Sequence, residues 1–526
     1  MIKIWLPALA LASVNWASTM FHGDPTGKSD SAAPLQHAID QISAQGGGTL
    51  VIPKGNYAMN TYRRSTHPCK FTNILVPSNV TLQGEPGTRL QQNPSGRTAV
   101  RGCGTVENAV LAVALSRTFQ TISFQRGQFY DAHPVTANDA TVTAIKNSDA
   151  THFVVGDLIG VYEEKTGDVL PSEFTVVTSV DAVTGVIGLA VHLARNFSTA
   201  YITKVTDSAV RNVNLQNLTL EGAVPFEAQE GFNITLENCI LRYDNTAGGG
   251  NIVTGFVINT VRGFRMSGGS VEPVNGSSLV GTELPQRNSA DVTFERVTFT
   301  GTSLGTGEYG IHWKLSSCTF WLTSAEAPQA FTLQGWDMTA TGNTFHATGY
   351  SAPGATCVSD FTGSLGSHPA LFGGVRFLEN LIYCDTRGSG NPAVKSVLPA
   401  AEWSGNHIEA NPGTVGAALN GDRFVFSGND IKVSGVSWAI LAETFSGVDR
   451  GSITNNVVSG GGTVPYAIDF PRGAPRGGGY VITGNSFTGF TSQGVNIAVL
   501  QASHPGTIVA NNVGSPDFKS PSRSSR

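Results

Sequence analysis

Three glutamates stand where acid–base chemistry would need them. Glu227, Glu283 and Glu308 each fall in an interval between members of a recurring apolar pattern, with Tyr309 beside the last and Arg287 shortly after the second. If those intervals are strands on successive turns of a coil, carboxylates on neighbouring turns lie roughly 5 Å apart, and those two turns apart roughly 10 Å. These separations bracket the ones that retaining and inverting glycosidases use, so one reading is an acid/base pair for glycoside hydrolysis. The second is proton abstraction beside a carboxylate, which needs a base and a cation that neutralises the carboxylate. Arg287 with Tyr309, assisted by Lys314 or His312, has those parts. Alternation around Leu315 turns His312 and Lys314 outward, but on the next strand row. The plain alternative for each of these residues is a solvated polar group in a loop.

The elements that must position them are legible as a repeat. Between Leu215 and Val513 an apolar residue, two mostly polar ones, a turn residue, a variable position and a second apolar residue recur twelve times. The turn position is Leu218, Cys239, Gly269, Val297, Cys318, Asn343, Asn380, Asn406, Asn429, Asn456, Asn485 and Asn511, with 21 to 37 residues between neighbours. That period belongs to solenoids, and the variation fits loops of different length leaving each coil. The apolar residues stand five apart, as in Leu315/Phe320 and Phe426/Ile431. A helix would not keep such a pair on one face, whereas two short strands meeting at a bend would. Asn at the bend suits both a left-handed turn and a ladder of stacked amides.

Composition agrees. The 526 residues include 62 Gly and 13% charged residues, with few patterns of helical period. The net charge of −5 is spread out, and no basic stripe or basic-aromatic cluster argues for nucleic acid. An early lysine, an apolar run and small residues near Ala17-Ser18 read as a secretory signal peptide, which predicts a secreted or periplasmic protein with no membrane association after its removal. The six cysteines match no zinc or haem spacing. Cys239 and Cys318 are expected inside the stack. Cys357 with Cys384, and Cys69 with Cys103, are two possible bridges. No cofactor is expected; calcium is left open, although no aspartate cluster of the calcium-holding kind is evident.

The segment from Phe21-His-Gly-Asp-Pro through Ser31 to Asp40, followed by Gly46-Gly-Gly-Thr-Leu-Val-Ile-Pro-Lys-Gly-Asn-Tyr57, resembles the opening of the pectate lyase superfamily, in its rhamnogalacturonase and epimerase type. Gly23-Asp24-Pro25 replaces the usual Gly-Asp-Gly. Leu35, Ala38, Ile39 and Ile42 share a helical face, with Asp30 or Ser31 available as a cap, so this helix is expected to plug the open end of the coil. Asp24 and Asp30 are read as structural.

The resulting fold class is all-β, a single-stranded right-handed parallel β-helix with an N-terminal capping helix and a small inserted β module. The expected segments are a signal peptide over 1–19, cap and first coils over 20–126, the module over 127–206, the main β-helix over 207–515 and a flexible tail over 516–526. The resemblance implies that a third strand in each coil floors a groove for polysaccharide. It carries no catalytic residue across, because neither the Asn-Thr-Asp, Asp-Asp, Gly-His-Gly and Arg-Ile-Lys set of polygalacturonases nor the Arg-x-Pro-x-x-Arg stretch of calcium-dependent pectate lyases is present. The function expected on this basis is a polysaccharide hydrolase or lyase, more readily a monomer than a trimer. A glycan-binding surface or tailspike-like protein is the alternative, and a purely structural adhesin a third.

Overall fold

A computed structural model describes residues 19–64, 70–92, 107–113, 128–165, 172–206, 209–244, 254–274, 289–305, 310–324, 329–352, 355–360, 373–386, 391–410, 415–434, 438–442, 451–461, 464–470, 479–496 and 506–519. The apolar pairs of the repeat lie inside. Phe294, Leu315, Ala340, Phe377, Trp403, Phe426, Ile453, Ile482 and Val509 stack in parallel register as one inward row. Phe299, Phe320, Phe345, Ile382, Ile408, Ile431, Val458 and Phe487 form a second. A separate sheet of eight parallel strands, from Leu304–Gly305 to Gln493–Val495, supplies the third wall, with Phe331, Val358 and Val394 among its inward residues. The chain is a parallel β-helix. Its lumen is packed by rings: Phe320 stacks between Phe299 at 4.9 Å and Phe345 at 4.5 Å. Offset stacking of this kind adds to the area that each ring removes from water.

The asparagine ladder is continuous. Each side-chain Nδ2 donates to Oδ1 of the next, from Asn343 to Asn380 (3.0 Å), Asn406 (2.9 Å), Asn429 (2.9 Å), Asn456 (3.0 Å), Asn485 (2.9 Å) and Asn512 (2.8 Å). Each Oδ1 also accepts the backbone N–H of the residue one coil earlier, as Asn406 does from Asn380 at 3.0 Å. Two details differ from expectation. The left-handed residue is the one before each ladder position, Glu379, Gly405, Gly428, Asn455 or Gly484, which frees the asparagine to turn its amide inward. In the last coil the ladder residue is Asn512, while Asn511 takes the left-handed position at φ 54°. Cys239 and Cys318 continue the column towards the N-terminus as buried free thiols.

The helix Ala32–Ala44 buries Leu35, Ile39 and Ile42 on the first coil. Its Gln36 amide donates to Leu75 O (2.9 Å) and accepts from Leu75 N (2.8 Å), so a helix side chain satisfies a strand edge that would otherwise be open. Asp30, rather than Ser31, caps by accepting from Ala32 N at 3.0 Å. Asp24 accepts from Thr26 and Ser29 and holds the preceding turn. Cys357 and Cys384 form a disulfide that joins the third wall to the second inward row, with Cα atoms 5.9 Å apart. Cys69, Cys103, residues 1–18 and residues 520–526 lie outside the described residues. No described helix is long and apolar enough to cross a membrane.

Strands between Tyr130 and Thr206 form a six-stranded antiparallel sheet with an apolar core of its own, including Val142, Ile159, Ile187 and Ile202. Arg262, from the β-helix, ties it down. Its guanidinium donates to Phe174 O (2.9 Å) and His192 O (3.2 Å) of the module.

The third wall is less open than the groove reading requires. Thr332 and Ser359 point away from the lumen yet are 2% and 0% exposed. Glu227 fails for the same reason. It was expected on an outward strand face, but its strand Val224–Gln229 is buried throughout, its register partners are Ala112 and Val257, and the Gln229 amide binds its carboxylate. The outer face of that sheet is itself packed, by Ala109, Ala112, Val224 and Val257.

Candidate active site on a corner of the coil

Among the described residues most coils enter the next strand through a left-handed corner residue six positions before the ladder residue, Gly479 before Asn485 being an exception. The series Asn212, Asn233, Asp291, His312, Asp337, Ala400 and Arg423 has φ between 47° and 57°. The backbone stacks these corners. Asp291 N donates to Ile311 O at 2.9 Å, His312 N to Trp336 O at 3.0 Å and Asp337 N to Gly373 O at 2.9 Å. Such a backbone disfavours most side chains and is tolerated best by Gly, Asn, Asp and His, and three central coils place Asp, His and Asp there. The consequence is an ionisable column with one residue per coil, about 5 Å apart.

His312 is the centre. Its Nδ1 lies 3.1 Å from Asp291 Oδ1, and its Nε2 lies 3.7 Å from Asp337 Oδ2. Arg262 Nε holds Asp291 Oδ2 at 2.6 Å, and Arg376 Nη2 holds Asp337 Oδ1 at 2.8 Å. The module therefore reaches the column through Arg262. His312 and Asp291 are each 35% exposed, half-sunk but reachable. The hydrogen bond to Asp291, with the charges of Asp291, Asp337 and buried Glu173, raises the His312 pKa above 6.5 although burial opposes it. Burial also works against ionising Asp291, but hydrogen bonds and charge from His312 and Arg262 outweigh it and keep its carboxyl below the usual range.

On the strand that leaves the corner, Lys314, Thr339 and Arg376 are register partners on three successive coils. Two cations thus flank a small hydroxyl residue, each about 5 Å from it along the coil axis. A carboxylate resting on Thr339 would be within reach of both, beside the solvent side of the imidazole. The arrangement couples an oriented proton acceptor to a cationic shelf. Among the described residues no group of three or more His, Cys, Asp or Glu side chains is arranged to hold a metal ion.

Of the residues singled out from sequence, His312 and Lys314 belong to this site and Glu227 does not. Glu283, Arg287, Glu308 and Tyr309 lie outside the described residues. Asp291, Asp337, Arg262 and Arg376 were missed. The signal that could have found the two aspartates is the constant offset of six from Val297, Cys318 and Asn343, which also picks out His312.

No protein-family model matches the chain, and no curated protein does. Among solved structures it is similar to a mannuronan C-5 epimerase A-module of Azotobacter vinelandii, at 13% identity over 93% of this chain and 98% of that one, with a TM-score of 0.41. A tailspike protein of Pseudomonas phage LKA1 matches at 12% identity over 91% of this chain and 77% of the other, with a TM-score of 0.48. A surface adhesin of Streptococcus pneumoniae matches at 12% identity over 87% and 91%, also with a TM-score of 0.48. None of these similarities transfers a residue, an activity or a substrate.

Proposed function

We propose that the protein acts on a uronate-containing polysaccharide by β-elimination, with His312 as the base. The observation that carries this reading is the imidazole anchored at Nδ1 on Asp291 beside the Lys314–Thr339–Arg376 shelf. Asp291 fixes the ring and its tautomer, so that the unprotonated nitrogen is Nε2, on the side of Asp337. A uronate carboxylate on the shelf loses charge chiefly to Lys314, with Arg376 shared between it and Asp337, which makes the adjacent C–H more acidic. His312 takes that proton, the electron pair forms the new C=C bond, and the glycosidic C–O bond breaks. The imidazolium or water then protonates the departing oxygen.

Among the described residues hydrolysis is served less well. A general acid must hold its proton near neutral pH, and the environment of Asp291 does the opposite. The pKa of Asp360 is raised, but it is fully buried and meets no substrate.

The test is His312→Gln and Arg376→Gln assayed on polygalacturonate and alginate. The reading predicts loss of ultraviolet-absorbing unsaturated ends in His312→Gln, and a raised KM in Arg376→Gln. Unchanged turnover in His312→Gln removes the residue from the site. Retention on the polysaccharide with no product at all favours a glycan-binding protein.

A further inference from the structure

Outside the corner column, one row of side chains on the strands that follow the ladder is aromatic where its neighbours are not. Trp321, His346 and Tyr383 are register partners on three coils. Trp321 stacks on His346 at 3.8 Å with planes 4° apart, and His346 on Tyr383 at 4.9 Å and 9°. The C-terminal end of the stack is closed, since Tyr383 meets the edge of His407 at 6.3 Å. His407 is itself held by Asp430 (2.9 Å) and Glu409 (3.0 Å).

The other end is open. The register partner of Trp321 in the preceding coil is Thr300, followed by Gly301, so among the described residues no ring continues the stack there. Trp321 is 49% exposed although His346 covers one face, which leaves the opposite face bare above a shelf of small residues. One coil further on, Glu272 stands beside the Thr300 position, since Val271 pairs with Phe299. Its Oε1 accepts from Arg242 Nε at 2.7 Å. The shelf is bordered by hydroxyls: Ser270, Thr298 and Thr319 lie in register on one side, and the Thr323 and Thr348 hydroxyls meet at 3.0 Å on the other.

We propose that this shelf is a second saccharide site, separate from the corner column, taking one pyranose unit of a polysaccharide flat against Trp321. A sugar ring offers an apolar C–H face and an equatorial rim of hydroxyls. The indole accepts the first, and the vicinal hydroxyls on the far side reach the Glu272–Arg242 pair, which presents an acceptor and donors together. The space fits, because the Trp321 and Glu272 coils are two strand spacings apart, roughly 10 Å, with Thr300 and Gly301 the described strand residues between. The charges of Glu272 and Arg242 are already paired, so the site selects for hydroxyls rather than for an ionised group.

Affinity electrophoresis in native gels containing galactomannan, xyloglucan, polygalacturonate or alginate tests it, with Trp321→Ala and Thr300→Trp beside the parent chain. Thr300→Trp removes nothing. It extends the stack by one ring and fills the shelf. Both variants, folded by circular dichroism, are expected to weaken retention by roughly tenfold or more in at least one gel, the scale of an aromatic face returned to water. Galactomannan and xyloglucan carry no uronate, so weakened retention in those gels separates this site from the proposed elimination site. Parent-like retention of folded Thr300→Trp, or no retardation of the parent chain in any gel, overturns the proposal.

Discussion

Replacing Asn406 by alanine removes the middle of the amide ladder and nothing else. The lost contacts are Nδ2 to Phe377 O (2.9 Å), Nδ2 to Asn429 Oδ1 (2.9 Å), and the bonds that Oδ1 accepts from Asn380 N (3.0 Å) and Asn380 Nδ2 (2.9 Å). At about 1 kcal/mol net for each buried hydrogen bond the loss is about 4 kcal/mol. The Asn380 backbone N–H is then stranded in a corner that water does not reach, which adds about 1–2 kcal/mol. Cys318→Ala in the same column serves as the control. Cys318 keeps its backbone bond to Asn343 Oδ1 (2.8 Å) whatever its side chain, so that variant should cost about 1 kcal/mol. Because a solenoid holds each coil only through its neighbours, the damage should be local, with coils around residue 406 opening before the N-terminal ones. Chemical denaturation followed by circular dichroism gives the total, and native-state hydrogen exchange at Asn380 and Asn429 gives the place. A cost within about 1 kcal/mol of the parent for Asn406→Ala would refute the view that the ladder carries the corner.

Burial pushes the Asp360 carboxyl up to about 6 against three donors, Ser396 Oγ, Val397 N and Leu398 N. A raised folded-state value means that the stabilising contribution is complete below the unfolded value of 3.8 and is lost as pH climbs through about 6. The unfolding free energy from denaturation should therefore fall between those limits by about 3 kcal/mol in total, and Asp360→Asn should flatten the fall. For turnover, a His312 base must be neutral, so the rate should rise with pH through a value above 6.5. Asp291→Asn removes the main interaction that raises this pKa, so the limb should move to lower pH while kcat drops through loss of ring orientation. Loss of the Cys357–Cys384 bridge, which closes 27 residues, should cost about 3.5 kcal/mol in the chain-entropy account, read as a lower melting temperature in Cys384→Ser.

The winding was legible because it is written in side chains that have no other use. Pairs five apart with a turn residue between them require strands on both sides of a bend, and buried asparagine is explained only by a partner of its own kind. The left-handed position was not legible in the same way. Glu379, Gly405 and Asn455 share a conformation and no chemistry, so the turn was credited to the conspicuous asparagine beside them. That same emphasis shifted the last ladder residue from Asn512 to Asn511. Alternation also misplaced Glu227, since it says which way a strand residue points and not whether another layer covers it. The site was half legible. His312 and Lys314 could be turned outward by period alone, but pairing His312 with Asp291 and Asp337 needs the register across coils of 21 and 25 residues, which loops of unequal length conceal. The aromatic row is hidden in the same way, three positions after Cys318, Asn343 and Asn380.

Proton transfer at the corner column is the step on which the proposed elimination depends. The direct measurement is incubation of the parent chain and His312→Gln with uronate polysaccharides, read at the same time for unsaturated ends and for new reducing ends. The account predicts both signals in equal amount from the parent and neither from His312→Gln. New reducing ends without unsaturation, or unsaturation that survives in His312→Gln, would contradict it.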